Sequence, residues 1–192
     1  MFYESCIKMN LIVIAISNSM DQDPNNSGKP NIAYYLDLAK KLSINAIVIA
    51  SKESKDLILY CSNKAQIVLS NSDWASSVLA SKDLWNEDNI LFYPDNRINS
   101  VEPLERAIKS LKAGSDFVFG AYQTDNISSF GSIEYDRKTK DLLVCEKPNA
   151  ITPGLSWRFL GFKNNSKSEN LFNIFSQTNQ FLYLKNFDIV YL

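Results

Sequence analysis

The chain contains no histidine. That absence removes Ser-His-Asp and Cys-His nucleophilic machinery, together with zinc sites built on imidazole. Cysteine is nearly as scarce. Cys6, Cys61 and Cys145 are odd in number and widely spaced, so they read as reduced thiols rather than a disulfide framework. Three thiols also fall short of a four-thiolate zinc site within one chain. Any metal must then be held mainly by oxygen, which favours magnesium or an ion like it. Acid–base work falls to carboxylates, lysines or tyrosines. Glycine is thin as well: there are six, and Gly28 is alone among the first 113 residues. That excludes a GxGxxG dinucleotide loop, and Gly28-Lys29-Pro30 lacks the Ser or Thr that a P-loop requires.

No charge of one sign dominates. Lys plus Arg is 20 against 21 for Asp plus Glu, with no basic stripe, so a nucleic acid is not an expected partner. The longest apolar run, Leu11 to Ile16, is far too short to span a bilayer. It sits behind Glu4 and Lys8 without a small-residue cleavage site, so neither a signal peptide nor a membrane partner is expected. With reduced thiols, these features read as a cytoplasmic protein. At 192 residues and 45% apolar composition the chain is long enough to bury one core, and residues 1–192 are read as a single domain.

What is present follows a β-loop-α-β rhythm. Met9 to Ile16 is a β-branched strand feeding the polar loop Ser17 to Lys29. Asn31 reads as a helix N-cap, and Ile32, Tyr35, Leu36, Ala39 and Leu42 recur at helical spacing through Ser43. Ile44 to Ala50 is a second buried strand, which completes a parallel, right-handed crossover. Further strands are expected at Ala65–Leu69, Asn89–Tyr93 and Asp116–Tyr122, with helices at Ser72–Ser81 and Glu102–Ala113. From Gly131 the pattern turns to short strands at Gly131–Tyr135, Leu142–Cys145 and Trp157–Phe162, an antiparallel meander added to the parallel sheet. Asn164 to Asn170 resembles a short linker, Asn170 to Ser176 a short helix, and Phe181–Leu184 and Ile189–Leu192 strands. The expected fold class is α/β, a mostly parallel central sheet with helices on both faces plus the small meander.

In such a sheet ligands bind beyond the carboxyl ends of the strands. Three segments fall there. Lys29 precedes the first helix, where its ammonium could pair with an anion, although a solvated turn lysine is an equal reading. Asp95 directly follows an apolar strand and Pro94, suited to Mg²⁺ bridging phosphate oxygens; the plainer alternative is a turn residue capping its own backbone. Glu146 and Lys147 place an acid and a base on opposite faces of a strand end. Asp188 interrupts the strand-like stretch Phe187–Tyr191, either for function or as a turn.

Taken in order, these segments resemble the sugar-phosphate nucleotidyltransferases (NDP-sugar pyrophosphorylases) over nearly the whole chain from Met9. MNLIVIA followed by GKPNIAYYLDLAKKLSINAIVIA is similar to that family's first strand, signature Lys-Pro, helix and second strand. ILFYPDNRI resembles its strand ending in the metal-binding aspartate, and FGSIEYD, LLVCEKP and SWRFLGFK resemble its sugar-binding half. The resemblance implies a Rossmann-like nucleotidyltransferase fold and a magnesium-dependent reaction of an NTP with a sugar 1-phosphate, giving an NDP-sugar and pyrophosphate. It implies that Asp95 ligates Mg²⁺, that Lys29 contacts phosphate, and that Gly131 offers its amide to the hexose. Glu146 then binds sugar hydroxyls, Lys147 binds the sugar phosphate, and Asp188 is a second metal ligand. The chain departs from the family in its first loop, where Ala15–Met20 has neither glycine nor arginine, and at Ser70–Trp74, where the base-binding glycine is missing. Ser17, Asn18 and Ser19 would have to supply amides and hydroxyls instead. Two readings stay open: a divergent enzyme, or a catalytically impaired relative that binds a sugar phosphate or nucleotide sugar or serves as a partner subunit. The sugar, the base and the oligomeric state, a homo-oligomer included, stay open too. A metal-dependent glycosyltransferase is disfavoured because Asp95-Asn96-Arg97 supplies no Asp-x-Asp.

Overall fold

The computed structural model describes residues 9–15, 17–21, 28–93, 97–127, 131–146, 148, 153–177 and 180–192. In chain order the elements are β1 (Met9–Ile14), α1 (Asn31–Leu42), β2 (Asn45–Ala50), α2 (Lys55–Cys61), β3 (Gln66–Leu69), α3 (Trp74–Leu79) and β4 (Asp88–Phe92). There follow α4 (Glu102–Lys112), β5 (Phe117–Thr124), β6 (Gly131–Tyr135), β7 (Leu142–Glu146), β8 (Gly154–Lys163), α5 (Ser166–Phe175), β9 (Phe181–Leu184) and β10 (Phe187–Tyr191). All ten strands join one sheet, in the order β3-β2-β1-β4-β8-β6-β7-β9, with β5 on β8 and β10 on β5.

The pairs β1/β2, β1/β4, β2/β3 and β5/β10 are parallel. Strand β8 runs against both neighbours: Phe159–Lys163 pair with β4, and Gly154–Phe162 pair with β5. On the edge it shares with β4, β8 also takes β6 at Leu155 and Ser156, and from there β7 and β9 extend the meander. The expected mostly parallel α/β sheet with an antiparallel annex is thus the observed architecture.

Alternation along the buried strands splits the core into two layers. Met9, Leu11 and Val13 of β1 face α1, α2 and α4 through Ile32, Tyr35, Leu57, Leu104 and Leu111. Ile12 and Ile14 face the other way, toward α3, α5 and the meander through Val78, Phe172, Phe175, Ile133 and Val144. No helix among the described residues is long and apolar enough to cross a membrane.

Three local readings are corrected. Pro30, not Asn31, is the N-cap of α1, because Asn31 is already helical and its side chain is engaged elsewhere. The stretch Asn164–Asn170 is not a linker: Asn165 caps α5 by accepting from the amides of Lys167 and Ser168, so the helix begins at Ser166. Helix α2 escapes the sequence reading because seven residues give too few turns for a periodicity to register. Of the thiols, Cys61 is buried and free and Cys145 is half-buried and free; Cys6 lies outside the described residues.

The amino-terminal end of the sheet is fastened by polar groups. Buried Asn10 donates to the Leu84 carbonyl at 2.8 Å and to Asn89 Oδ1 at 3.0 Å, and accepts from Asn86 Nδ2 at 2.8 Å. Asp116 receives Lys167 Nζ at 2.5 Å, Asn165 Nδ2 at 2.9 Å and Asn186 Nδ2 at 2.9 Å. Burial alone would raise the Asp116 carboxyl, yet these donors outweigh it and hold the group below the usual carboxylate range. A depressed folded-state pKa contributes stability that is present above the unfolded value, about 3.9, and is lost as pH falls through the folded value. Asp116→Asn is therefore expected to cost about 1 to 3 kcal/mol at pH 7. The difference from wild type should shrink as pH falls below about 4, as read by urea unfolding at successively lower pH.

Candidate functional site

Strand β1 lies between β2 and β4, so the loops that leave the carboxyl ends of β1 and β4 are neighbours. The first begins with a 3₁₀ turn over Ser17–Met20, which contains both Ser17 and Asn18, and the buried side chain of Ser19 anchors that turn. Gly28, shortly before α1, has a φ of 71°, which suits a residue without Cβ. The Asp21 carbonyl accepts the Asn31 amide at 3.0 Å, which ties the turn to the start of α1.

The second loop leaves β4 at Tyr93, and Arg97 stands on its far side. Asp95 lies outside the described residues, as does Lys147. The flanks of the β4 loop are nevertheless fixed against α1. Arg97 Nη2 donates to Asn31 Oδ1 at 2.7 Å, and its guanidinium lies 5.1 Å from the Tyr34 ring. The hydroxyls of Tyr34 and Tyr35 donate to the carbonyls of Ile98 and Tyr93, each at 3.0 Å. Burial raises the Tyr34 phenol, with its hydrogen bond to Ile98 and the Arg97 charge pulling the other way, so the ring stays neutral and serves as a support. Trp74 packs edge-on against Tyr93 at 5.6 Å and closes the side toward α3.

Lys29 points along the outside of α1, its Nζ 3.3 Å from Asp37 Oδ2, with both side chains more than half exposed. Such an exposed pair contributes little and exchanges partners readily, so it leaves the lysine available to another anion.

The meander meets the same end of the sheet. Along one edge of β8, Phe92 of β4 pairs with Phe159 and Ser132 of β6 pairs with Ser156. They lie three positions apart on β8, or about 10 Å, and β4 ends beside that gap. Gly131 opens β6 and is paired with Glu146 at the end of β7. The Gly131 carbonyl accepts from Ser156 Oγ at 2.6 Å. Its Cα is covered by the indole of Trp157, which itself packs edge-on to Phe119 at 5.6 Å and stacks on Phe175 at 6.3 Å. Cys145 beside Glu146 has its thiol raised, by burial first and then by the Glu146 charge, which argues against a thiolate nucleophile there.

Asp188 is not brought to this end. It pairs with Val118, Val118 with Gly161, and Gly161 with Ile90, which places it two residues short of the end of β4. Three strand spacings, about 14 Å, separate β10 from β4. Its carboxylate accepts from Ser110 on α4 and from the Ile189 amide at 2.8 Å. That accounts for an aspartate within a strand as a helix-docking group. No cluster of three His, Cys, Asp or Glu side chains suited to a metal occurs among the described residues. A cavity of about 750 Å³ between α1 and the α2–β3 turn, lined by Asp37, Lys40 and Lys64, opens at the opposite end of the parallel strands. The sequence reading missed Asn31 and Arg97 as a pair. Arg97 stands two residues after Asp95, but nothing local announces a partner 66 residues earlier.

The chain matches no family model and no curated protein. Among solved structures it is similar to a provisionally named glucose-1-phosphate thymidylyltransferase from Bacillus anthracis in complex with a sucrose, at TM-score 0.66 and 12% identity, covering 96% of this chain and 87% of that one. It is similar to HddC from Yersinia pseudotuberculosis complexed with GMP-PN, at TM-score 0.58 and 13% identity, covering 81% and 76%. It is also similar to 4-diphosphocytidyl-2C-methyl-D-erythritolsynthase from Anaerococcus prevotii, at TM-score 0.58 and 15% identity, covering 95% and 88%.

A methyl group at position 131 would overlap the Trp157 ring. Gly131→Ala is expected to destabilise the chain by about 1 to 3 kcal/mol and to shift tryptophan emission, as measured by urea unfolding followed by fluorescence. Measured against solved structures, the chain has the fold of the nucleotidyltransferases that its motifs resemble.

Proposed function

We propose that the chain is a nucleotidyltransferase that joins an NTP to a sugar 1-phosphate, releasing pyrophosphate and an NDP-sugar. The observation that carries this reading is the meeting, at one end of the sheet, of the β1 loop, the β4 loop and the Gly131–Glu146 pair, in a fold shared with nucleotidyltransferases. In the reaction a phosphate oxygen of the sugar 1-phosphate attacks the NTP α-phosphorus in line. The new O–P bond forms as the bond to the β-phosphate breaks, and pyrophosphate leaves. Positioning and charge neutralisation are the main contributions a protein can make to such a transfer.

Lys29, released from its exposed pairing with Asp37, neutralises phosphate at the start of α1. Ser17 and Asn18 offer amides and hydroxyls to the nucleotide phosphates in place of a glycine-rich loop. Asn31 and Arg97 hold the two loops together. On the sugar side, Gly131 gives its amide, Glu146 binds hydroxyls and Lys147 meets the sugar phosphate. Asp95 follows β4 as a hard oxygen donor, and magnesium needs only one or two carboxylates because phosphates and waters complete its shell. Bound there, Mg²⁺ would neutralise charge on the phosphates. Asp188 is left out of this assignment because its carboxylate serves α4.

Pyrophosphate release from a panel of NTPs and sugar 1-phosphates with Mg²⁺ tests the proposal. Turnover should depend on one NTP–sugar pair and fall by about 100-fold or more in Asp95→Asn. A first loop without arginine favours the second reading if nothing turns over yet a sugar phosphate still raises the melting temperature. The chain would then be a binding relative without the chemistry.

A further inference from the structure

The sheet ends on three strands, β3, β9 and β10. The β10 edge is partly occupied. The Asn186 carbonyl accepts the Asp116 amide, so Phe187, Ile189 and Tyr191 turn their backbone outward. There the Ile189 amide is taken by Asp188 Oδ1 at 2.8 Å, and the Tyr191 carbonyl accepts from Arg106 Nη2 at 3.2 Å. An edge occupied in this way is a poor template for another strand. Strand β9 has no such cover. Among the described residues its ladder is with β7 alone, and residues 177–184 carry neither a charge nor a proline, the usual devices that blunt an edge.

Hydrogen-bond parity decides which groups of β9 face outward. The Asp136 amide donates to the Asp141 carbonyl at 3.0 Å, which makes this a bonded pair at the hairpin end of β6 and β7. Antiparallel pairs alternate between bonded and non-bonded, so Glu134/Leu143 and Ser132/Cys145 are the next bonded pairs. Leu142 and Val144 therefore turn their backbone toward β9, where they meet Leu184 and Leu182. Phe181 and Tyr183 are left with amide and carbonyl pointing away from the sheet. The same parity turns the Gly131 carbonyl away from β7, and it accepts from Ser156 on β8.

The side chains follow the same division. Leu182 and Leu184 turn into the layer that holds Phe172 and Phe175. Phe181 and Tyr183 lie on the other face, 60% and 55% exposed, beside the half-buried Cys145 and Leu143. Strand β3, by contrast, exposes one large apolar side chain, Leu69.

We propose that β9 is an association edge, at which a second copy of this chain adds antiparallel to the first about a two-fold axis at Leu182. In that register Phe181 stands opposite Tyr183 of the second copy, and Tyr183 opposite its Phe181. Both are bonded pairs, so four backbone hydrogen bonds close across the axis. Aromatic pairs of this kind are among the favourable cross-strand contacts. A two-fold contact also sets each group near its own copy, where a charged strand would repel itself. The neutral run 177–184 meets that condition, which an unrelated partner would not impose. The four rings present roughly 450 Å² of exposed surface, well below the about 1,200 Å² at which stable interfaces begin, so the dimer is weak and set by concentration. This inference does not require the proposed reaction.

Sedimentation velocity of the full chain from about 1 μM to about 1 mM tests it. The sedimentation coefficient should rise with concentration toward that of a dimer. The double variant Phe181→Lys/Tyr183→Lys should weaken association at least about tenfold, while Leu69→Lys and Tyr191→Lys, on the other two edges, leave it within about twofold. Amide exchange followed by NMR on the wild-type chain gives a second reading that needs no variant. The Leu182 and Leu184 amides should be protected at every concentration, whereas those of Phe181 and Tyr183 should slow only as the dimer forms. A chain still monomeric at the highest concentration would overturn the proposal. So would a dimer indifferent to the double variant, one broken by Leu69→Lys or Tyr191→Lys alone, or exchange at Phe181 and Tyr183 that does not change with concentration.

Discussion

The molecule depends on β8 pairing along both edges at once. Five of its residues zip to β4, the last parallel strand before the sheet changes character, while the other edge carries β5 throughout. Without this antiparallel insertion the parallel half and the β5/β10 pair would be two open sheets, each with an unpaired edge. The same strand extends past the end of β4 and takes β6 on the vacated edge. The meander consequently hangs where the β4 loop emerges, and the gap between the two becomes the natural place for a ligand that touches both.

The two ends of the parallel strands are built differently. At the amino end, the three asparagines 10, 86 and 89 satisfy one another and the backbone, and Asp116 gathers three donors, two from the start of α5 and one from the turn before β10. Networks of this kind, fully paired in a low-dielectric interior, fix a single arrangement. At the carboxyl end long-range contacts join the β4 loop to α1: Arg97 to Asn31, and two tyrosine hydroxyls to the backbone.

Much of this was legible in the sequence. The alternation of β-branched and apolar residues in MNLIVI and NAIVIA, and the 3.6-residue spacing in α1 and α4, carry the parallel crossover directly, because they are local patterns. Lys29 and Glu146 were expected beyond the carboxyl ends of strands, a reading that relies only on where strands stop. What could not be read is whatever depends on register. Asp188 looks identical on paper to a strand-end ligand, and only the chain of pairings through Val118 and Gly161 shows that it stops short of the rim. Asn31 likewise has the chemistry of a cap, and a guanidinium 66 residues away decides otherwise. Arg158 is the clearest case: Gly120 of β5 pairs with Phe159 and Ala121 with Trp157, so Arg158 is the extra residue of a β-bulge, and a bulge exists only relative to a neighbouring strand.

That bulge also sets the handedness of facing along β8. Side chains alternate between the two sides of a sheet with strict parity, and a single supernumerary residue inverts that parity for everything that precedes it. Leu160 and Phe162 face the α3–α5 layer; by uninterrupted alternation Trp157 would face the α1–α4 layer, yet it lies with Leu160 and Phe162. One inserted residue thus lets a continuous strand present its indole to Gly131 and the aromatic layer while its other half stays in phase with β4. Deleting position 158 would shorten the chain by one residue, but its larger effect would be to turn the whole amino-terminal half of β8 inside out.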